Sequence, residues 1–154
     1  MASTAKACNE WPILSEDEVK SKMKAGFKMW TLKGGPPYTA SEINPPGALV
    51  RSFTCKNFQA ALDFIQAGGS VAESRGHHPD FHLTSYRNVD VVIYTHSLGG
   101  ITENDFNLAA ELDRIPVQYS PKFLKEHPEC ELSGCKEFYH MDYKGGHFEE
   151  RVLP

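Results

Sequence analysis

The sequence predicts a two-layer α+β domain: a four-stranded antiparallel sheet with helices on one face, in the order α-β-β-α-β-β-α, followed by an irregular C-terminal extension. Three observations carry this expectation. Bulky, alternating runs come in pairs set between helical patterns, which suits antiparallel pairing rather than the strict β-α alternation of a parallel sheet. The second pair is separated only by Arg87-Asn88, a hairpin spacing. Each of the three helical patterns is preceded by residues that cap a helix N-terminus.

Leu14 to Val19 opens the first helix. Ser15 can cap the free amides, Glu18 three residues on completes a capping box, and Leu14 can staple onto Val19. Val19 and Met23 share a face, and Gly26 is a natural stop. Phe27 to Leu32 reads as the first strand. Lys33 to Gly47 holds two Pro-Pro pairs and three glycines and reads as a loop. Leu49 to Thr54 is the second strand.

Asn57 caps a second helix, on which Phe58, Ala61, Leu62 and Ile65 recur at helical spacing. Gly68-Gly69 weakens it by about 1 kcal/mol per glycine relative to alanine, but Val71 and Ala72 carry it on to about Ser74. Gly76 to Asp80 is a turn, because the residue before Pro79 avoids the helical region. Phe81 to Tyr86 and Val89 to His96 form the hairpin. Thr102 to Asp105 caps the last helix. Phe106, Ala109, Ala110 and Asp113 fall on one side of it, Leu108, Leu112 and Ile115 form a second apolar row, and Pro116 ends it. Residues 1–116 are thus the expected domain. Residues 117–154, polar and without clear period, are the expected extension, wrapping the domain or partly disordered.

A chain of 154 residues suits one domain, since typical domains run to about 100–150 residues. A formal charge of −4 gives no footprint for direct nucleic-acid binding. No apolar run is long enough to span a membrane, and Met1 to Glu10 lacks the apolar core of a secretory signal. The scattered Cys8, Cys55, Cys130 and Cys135 suit free thiols in a reducing, cytoplasmic setting, with a nuclear location also open.

Chemistry concentrates in one stretch. Of seven histidines, four lie between positions 77 and 96. Proton transfer near neutral pH needs groups whose pKa starts near 7, and histidine is that side chain. His77 and His78 sit on the turn after the second helix, so their side chains must diverge and can do different jobs. His96 closes the second strand of the hairpin that starts just after that turn, which brings it to the same edge. Glu73, one helical turn before His77, is close enough to orient an imidazole or to take a hydrogen bond from a ligand. A plainer role for Asp105 is the acidic first turn of a helix. Three histidines are also a zinc ligand set, but the helical spacing of such sites is missing.

Glu73-Ser-Arg-Gly-His77-His78-Pro79, then Tyr86, Thr95-His96, Gly99-Gly100, Thr102 and Asp105, resembles the signature of the pterin-4a-carbinolamine dehydratase family. Phe53 and Phe58 resemble the family's Phe-rich entry to its long helix, and Leu108-Ala109 its final helix. The resemblance covers about residues 14 to 115. It implies an α+β fold that assembles as a homodimer or homotetramer. It implies loss of water from 4a-hydroxytetrahydropterin to give quinonoid dihydropterin, the recycling step of tetrahydrobiopterin. Carried over by position, His77 and His96 are the acid/base groups and His78 holds the pterin. Glu73 and Asp105 support the site, and Gly76 with Tyr94, Thr95, His96 and Ser97 lines the pocket. The reaction moves a hydroxide and a proton and no hydride, so the resemblance implies no cofactor and no metal.

The rival of another class is a scaffold. Some family members serve as dimerisation cofactors for a transcription factor, using the helical surface that otherwise makes a tetramer. An intact set of His77, His78, His96 and Glu73 favours the enzyme, since a scaffold has no use for clustered acid/base groups. A third reading, a metal-dependent hydrolase built on the same histidines, requires sensitivity to chelators. Separately, His127, Cys130, Cys135 and His140 are zinc-capable ligand types at short spacing, though not as a Cys-x2-Cys knuckle. Lys33-Gly34-Gly35 lacks the Lys-Ser/Thr of a phosphate loop.

Overall fold

The computed structural model describes residues 7, 10–34, 46–95, 97–132, 141–144 and 147–150. The first seven elements run α1 (Glu16–Gly26), β1 (Thr31–Gly34), β2 (Pro46–Thr54), α2 (Phe58–Arg75), β3 (Asp80–Thr84), β4 (Asn88–Ile93) and α3 (Glu103–Asp113). This is the order expected from the sequence. The four strands form one antiparallel sheet in the order β1-β2-β4-β3.

The local signals act as written. Ser15 Oγ accepts from the Glu18 amide while Glu18 accepts from the Ser15 amide, the full capping box. Asn57 Oδ1 accepts from the Ala60 amide at 2.8 Å and starts α2. Along β2, Leu49, Arg51 and Phe53 share a parity and face the helices, together with Val89, Val91 and Ile93 of β4. Phe64, Ala67 and Ala72 of α2 and Phe106, Leu108 and Leu112 of α3 close that layer. On the opposite face Ala48, Val50 and Val92 make a small second cluster.

Several boundaries and the exposure of one residue differ from expectation. β1 runs on to Gly34 and β2 begins at Pro46, both inside the stretch Lys33 to Gly47 expected as a loop, because the two strands pair there. Phe27 to Trp30 is not strand: the Phe27 amide still bonds Met23 O and the Trp30 amide bonds Phe27 O, so the end of α1 holds them in a turn. The first strand starts only at Thr31. In the hairpin, Thr84 pairs with Asn88, so the turn is Ser85-Tyr86-Arg87 rather than Arg87-Asn88. Ser85 and Tyr86 both take positive φ, 47° and 57°, and neither residue type advertises that conformation. β4 ends at Ile93, three residues short, because Thr95 instead bridges to Gly100. In α3, Ala110 is exposed while Phe106 and Ala109 are buried, so Ala110 lies off the buried side on which the sequence places it.

Gly68 has a tertiary explanation. A Cβ there would stand 2.9 Å from Phe81 Cζ and 3.4 Å from Leu112 Cδ2, so the glycine is where α2 meets β3 and α3. Beyond Pro116 the chain continues in contact with the core. Val117 and Tyr119 are buried in the main cluster. Ser120 caps α4 (Pro121–Glu126), followed by α5 (Glu129–Leu132) and a hairpin of β5 (Met141–Lys144) and β6 (His147–Glu150).

Candidate active site

The end of α2 sets the two histidines. Gly76 takes a left-handed conformation, φ 64°, and its amide returns to Ala72 O and Glu73 O. The His77 amide also bonds Ala72 O, at 3.2 Å. This glycine-terminated cap reverses the chain within two residues and points successive side chains apart. His77 turns inward, with 3% of its surface exposed. His78 turns outward, with a side chain 62% exposed.

Each imidazole has its own carboxylate. His77 Nε2 lies 2.5 Å from Asp105 Oδ1. An ionised carboxylate only accepts, so Nε2 is the donor when Asp105 is ionised. His78 Nε2 lies 2.8 Å from Glu73 Oε2. Glu73 therefore orients His78 rather than His77.

Asp105 is fully buried, and its two oxygens divide the work. Oδ2 accepts from the Thr102 amide at 2.7 Å and from Thr95 Oγ1 at 2.9 Å, while Oδ1 is left to His77. The Thr95 and Thr102 hydroxyls are 3.1 Å apart. The helix-cap role and the histidine-holding role of Asp105 are thus both real and use different atoms. Arg75 fastens α2 to α3 beside this site, through Glu111 at 2.5 Å and Asn104 at 3.4 Å.

The N-terminal segment braces the same loop. Ile13 bridges to Thr102, the Leu14 amide bonds Ile101 O, and the Thr95 amide bonds Gly100 O. Sequence reading did not reach this brace or the hydroxyl role of Thr95. The capping box at Thr102 and Asp105 was the available clue, since it placed a buried acceptor next to Thr102.

Other expected residues fall in different places. The Tyr94 side chain packs against Ala48, Val50 and Val92 on the face away from the helices. Gly76 and Ser97 are exposed. Tyr86 sits at the hairpin tip, separated from the histidine end by the five residues of β3, roughly 15 Å at strand rise. His82 is exposed on edge strand β3. His96, Cys135 and His140 lie outside the described residues. His127 stacks on Phe123 at 4.4 Å and pairs with Glu129 at 3.1 Å, and Cys130 is buried. Among the described residues no group of three metal-ligating side chains is assembled.

Comparison with known proteins decides the family. A family model described as pterin 4 alpha carbinolamine dehydratase matches residues 12–115. The chain belongs to this family. It is 50% identical over 70 residues to the Arabidopsis thaliana protein named pterin-4-alpha-carbinolamine dehydratase 2, mitochondrial, a match that spans 46% of this chain and 37% of that one. It is 36% identical over 103 residues to an Alkaliphilus metalliredigens protein named provisionally as the same dehydratase, covering 67% and 82% of the two chains. Among solved structures, one titled as a transcriptional coactivator/pterin dehydratase from Brucella melitensis superimposes with a TM-score of 0.54 at 29% identity, covering 66% of this chain and 96% of that one. The chain therefore spans little more than a third of the Arabidopsis relative but nearly all of the Brucella structure. The described histidine–carboxylate pairs lie within the matched residues. No described helix is long and apolar enough to cross a membrane.

Proposed function

We propose that the chain dehydrates 4a-hydroxytetrahydropterin to quinonoid dihydropterin by histidine acid/base catalysis, in tetrahydrobiopterin recycling. The observation that supports this most directly is the pairing at the end of α2: His77 on Asp105 facing inward, His78 on Glu73 facing outward. The carbinolamine must lose hydroxide from one ring carbon and a proton from the adjacent nitrogen. One imidazolium protonates the departing oxygen while a neutral imidazole or water takes the nitrogen proton. Positioned transfers of this kind contribute about 10²–10⁴-fold.

In this reading His77 and His96 move the protons, and His78, tethered by Glu73, holds the pterin. A ring as enclosed as His77 offers little contact area, so it exchanges a proton only with a substrate seated against it. Exposed His78 supplies the seat. The Asp105 and Thr95 side chains keep His77 in place, and Gly76 with the backbone of Tyr94, Thr95 and Ser97 borders the substrate. Phe58 and Leu62, exposed one turn apart on α2, suit a homodimer or homotetramer contact.

The test is decay of freshly generated carbinolamine with and without the protein. Acceleration is expected, with loss of that acceleration in the double variant His77→Ala, His96→Ala. A double variant running at the wild-type rate would overturn the assignment. A folded wild type that gives no acceleration would favour the scaffold.

A further inference from the structure

The outer edge of β2 is covered in two pieces. β1 pairs with it only as far as Thr31 opposite Val50. The segment after α3 bonds to it further on: the Ser120 amide donates to Thr54 O at 2.9 Å, and the Lys56 amide donates to Gln118 O at 2.8 Å. Even-numbered residues of this stretch turn their backbone groups to that edge, whereas the Cys55 amide turns the other way, to Arg87 O beside β4. Ser52 is the even residue between the two pieces, and neither supplies a rung there. A cavity of about 230 Å³ opens on this gap.

Its walls differ in chemistry. Met29 and Phe53 give an apolar floor, and Phe123 with His127 gives an aromatic side. Those two rings belong to a stacked column, Tyr119–Phe123–His127, with centroids 5.4 and 4.4 Å apart. Lys28 and Lys33 stand at the rim, both exposed, and neither makes an ion pair with another described residue. Of the other charged groups in the lining, Arg51 is paired with Asp113, and the Glu129 carboxylate lies 3.1 Å from His127 Nδ1. Two ammonium groups against the one carboxylate of Glu129 leave the lining net positive beside its aromatic walls. The volume is below the roughly 300–1,000 Å³ of sites for drug-sized ligands, which suits a single ring.

We propose that this cavity is a second binding site, for a small aromatic carboxylic acid. The ring lies against Met29, Phe53 and Phe123, the carboxylate meets Lys28 and Lys33, and the Ser52 backbone offers one donor and one acceptor. The site is distinct from the histidine pairs. Its aromatic side comes from residues beyond position 115, where the family match ends, so it is an addition made jointly by the core and the segment after it.

The experiment is titration of the full chain with benzoate, followed by amide NMR shifts and calorimetry, with inorganic phosphate and cyclohexylammonium as controls. Benzoate is expected to bind and to shift amides of residues 28–33, 52 and 123–130. Cyclohexylammonium should not bind, and phosphate should bind at least tenfold more weakly than benzoate. The double variant Lys28→Glu, Lys33→Glu should weaken benzoate at least tenfold while carbinolamine dehydration stays at the wild-type rate. Equal binding of phosphate and benzoate would reduce the site to a basic patch and overturn the proposal. So would benzoate affinity unchanged in the lysine variant, or lost in His78→Ala instead.

Discussion

Asp105 shows how much one residue decides. Its Oδ2 completes a helix cap and its Oδ1 holds His77. Asparagine at this position keeps an oxygen for the Thr102 amide but presents an NH₂ to His77. Two donors then face each other unless the imidazole changes tautomer or turns. Asp105→Asn is therefore expected to leave the melting temperature nearly unchanged, since the cap survives. It should lower kcat for dehydration by about 10²–10⁴, the scale of a misplaced acid/base group, with little change in KM. A variant with full kcat would show that the Asp105 contact does not position the reacting imidazole. The cap was readable in the sequence because Thr102 and Asp105 are three residues apart. The His77 contact spans 28 positions, and no local rule reports it.

At the scale of elements, α2 is a long helix interrupted in sequence by two glycines with opposite reasons. A Cβ on Gly69 meets nothing within 4 Å, whereas one on Gly68 meets Phe81. Gly69→Ala should stabilise the fold by about 0.4–1 kcal/mol through propensity and reduced freedom of the unfolded chain. Gly68→Ala gains the same propensity term but overpacks the junction with β3, at a cost of about 1–3 kcal/mol, so it should destabilise on balance. Urea midpoints of the two variants check this: equal stabilisation by both would mean that Phe81 yields freely. The hairpin teaches a similar lesson. Alternation located both strands, but Ser85 and Tyr86 at positive φ moved the turn two residues toward the N-terminus of the expected site.

Across the whole molecule, one polar knot joins four segments. Trp30 Nε1 and Arg51 Nη1 both donate to Asp113 at 2.9–3.0 Å, and Arg51 Nη2 donates to Tyr119 Oη at 2.5 Å. Arg51, 1% exposed, also lies against the Phe53 ring at 4.9 Å. Burial holds the Asp113 carboxyl above its ordinary range, and Arg51 only partly offsets that. A folded pKa above the unfolded one means the native state keeps its proton longer as pH rises. The Asp113 contribution to stability should therefore fall as pH climbs from below about 4 to the native pKa, then stay level. Removing the whole side chain is worse than protonating it, because the Trp30 indole and the Arg51 guanidinium would be left buried without the oxygens that accept from them. Asp113→Ala should cost about 3–5 kcal/mol at pH 7 and abolish that downward slope. Urea unfolding across the acid range measures both. Buried Cys55, its thiol pushed up to about 12 by burial, belongs to the same interior.

The sequence by itself determined the element order, the antiparallel pairing, the three helix caps and the histidine stretch with its family likeness. Those features rest on interactions between residues a few positions apart, whose periodicity and capping chemistry are written locally. Only the tertiary structure decided which carboxylate serves which histidine, that Gly68 is a contact rather than a flaw, and that Tyr86 lies at the far end of its hairpin. It also decided that Val117 and Tyr119 share the core and that the stretch after them walls a cavity on the edge of β2. Those outcomes depend on where distant segments meet, and burial, not local pattern, selects that.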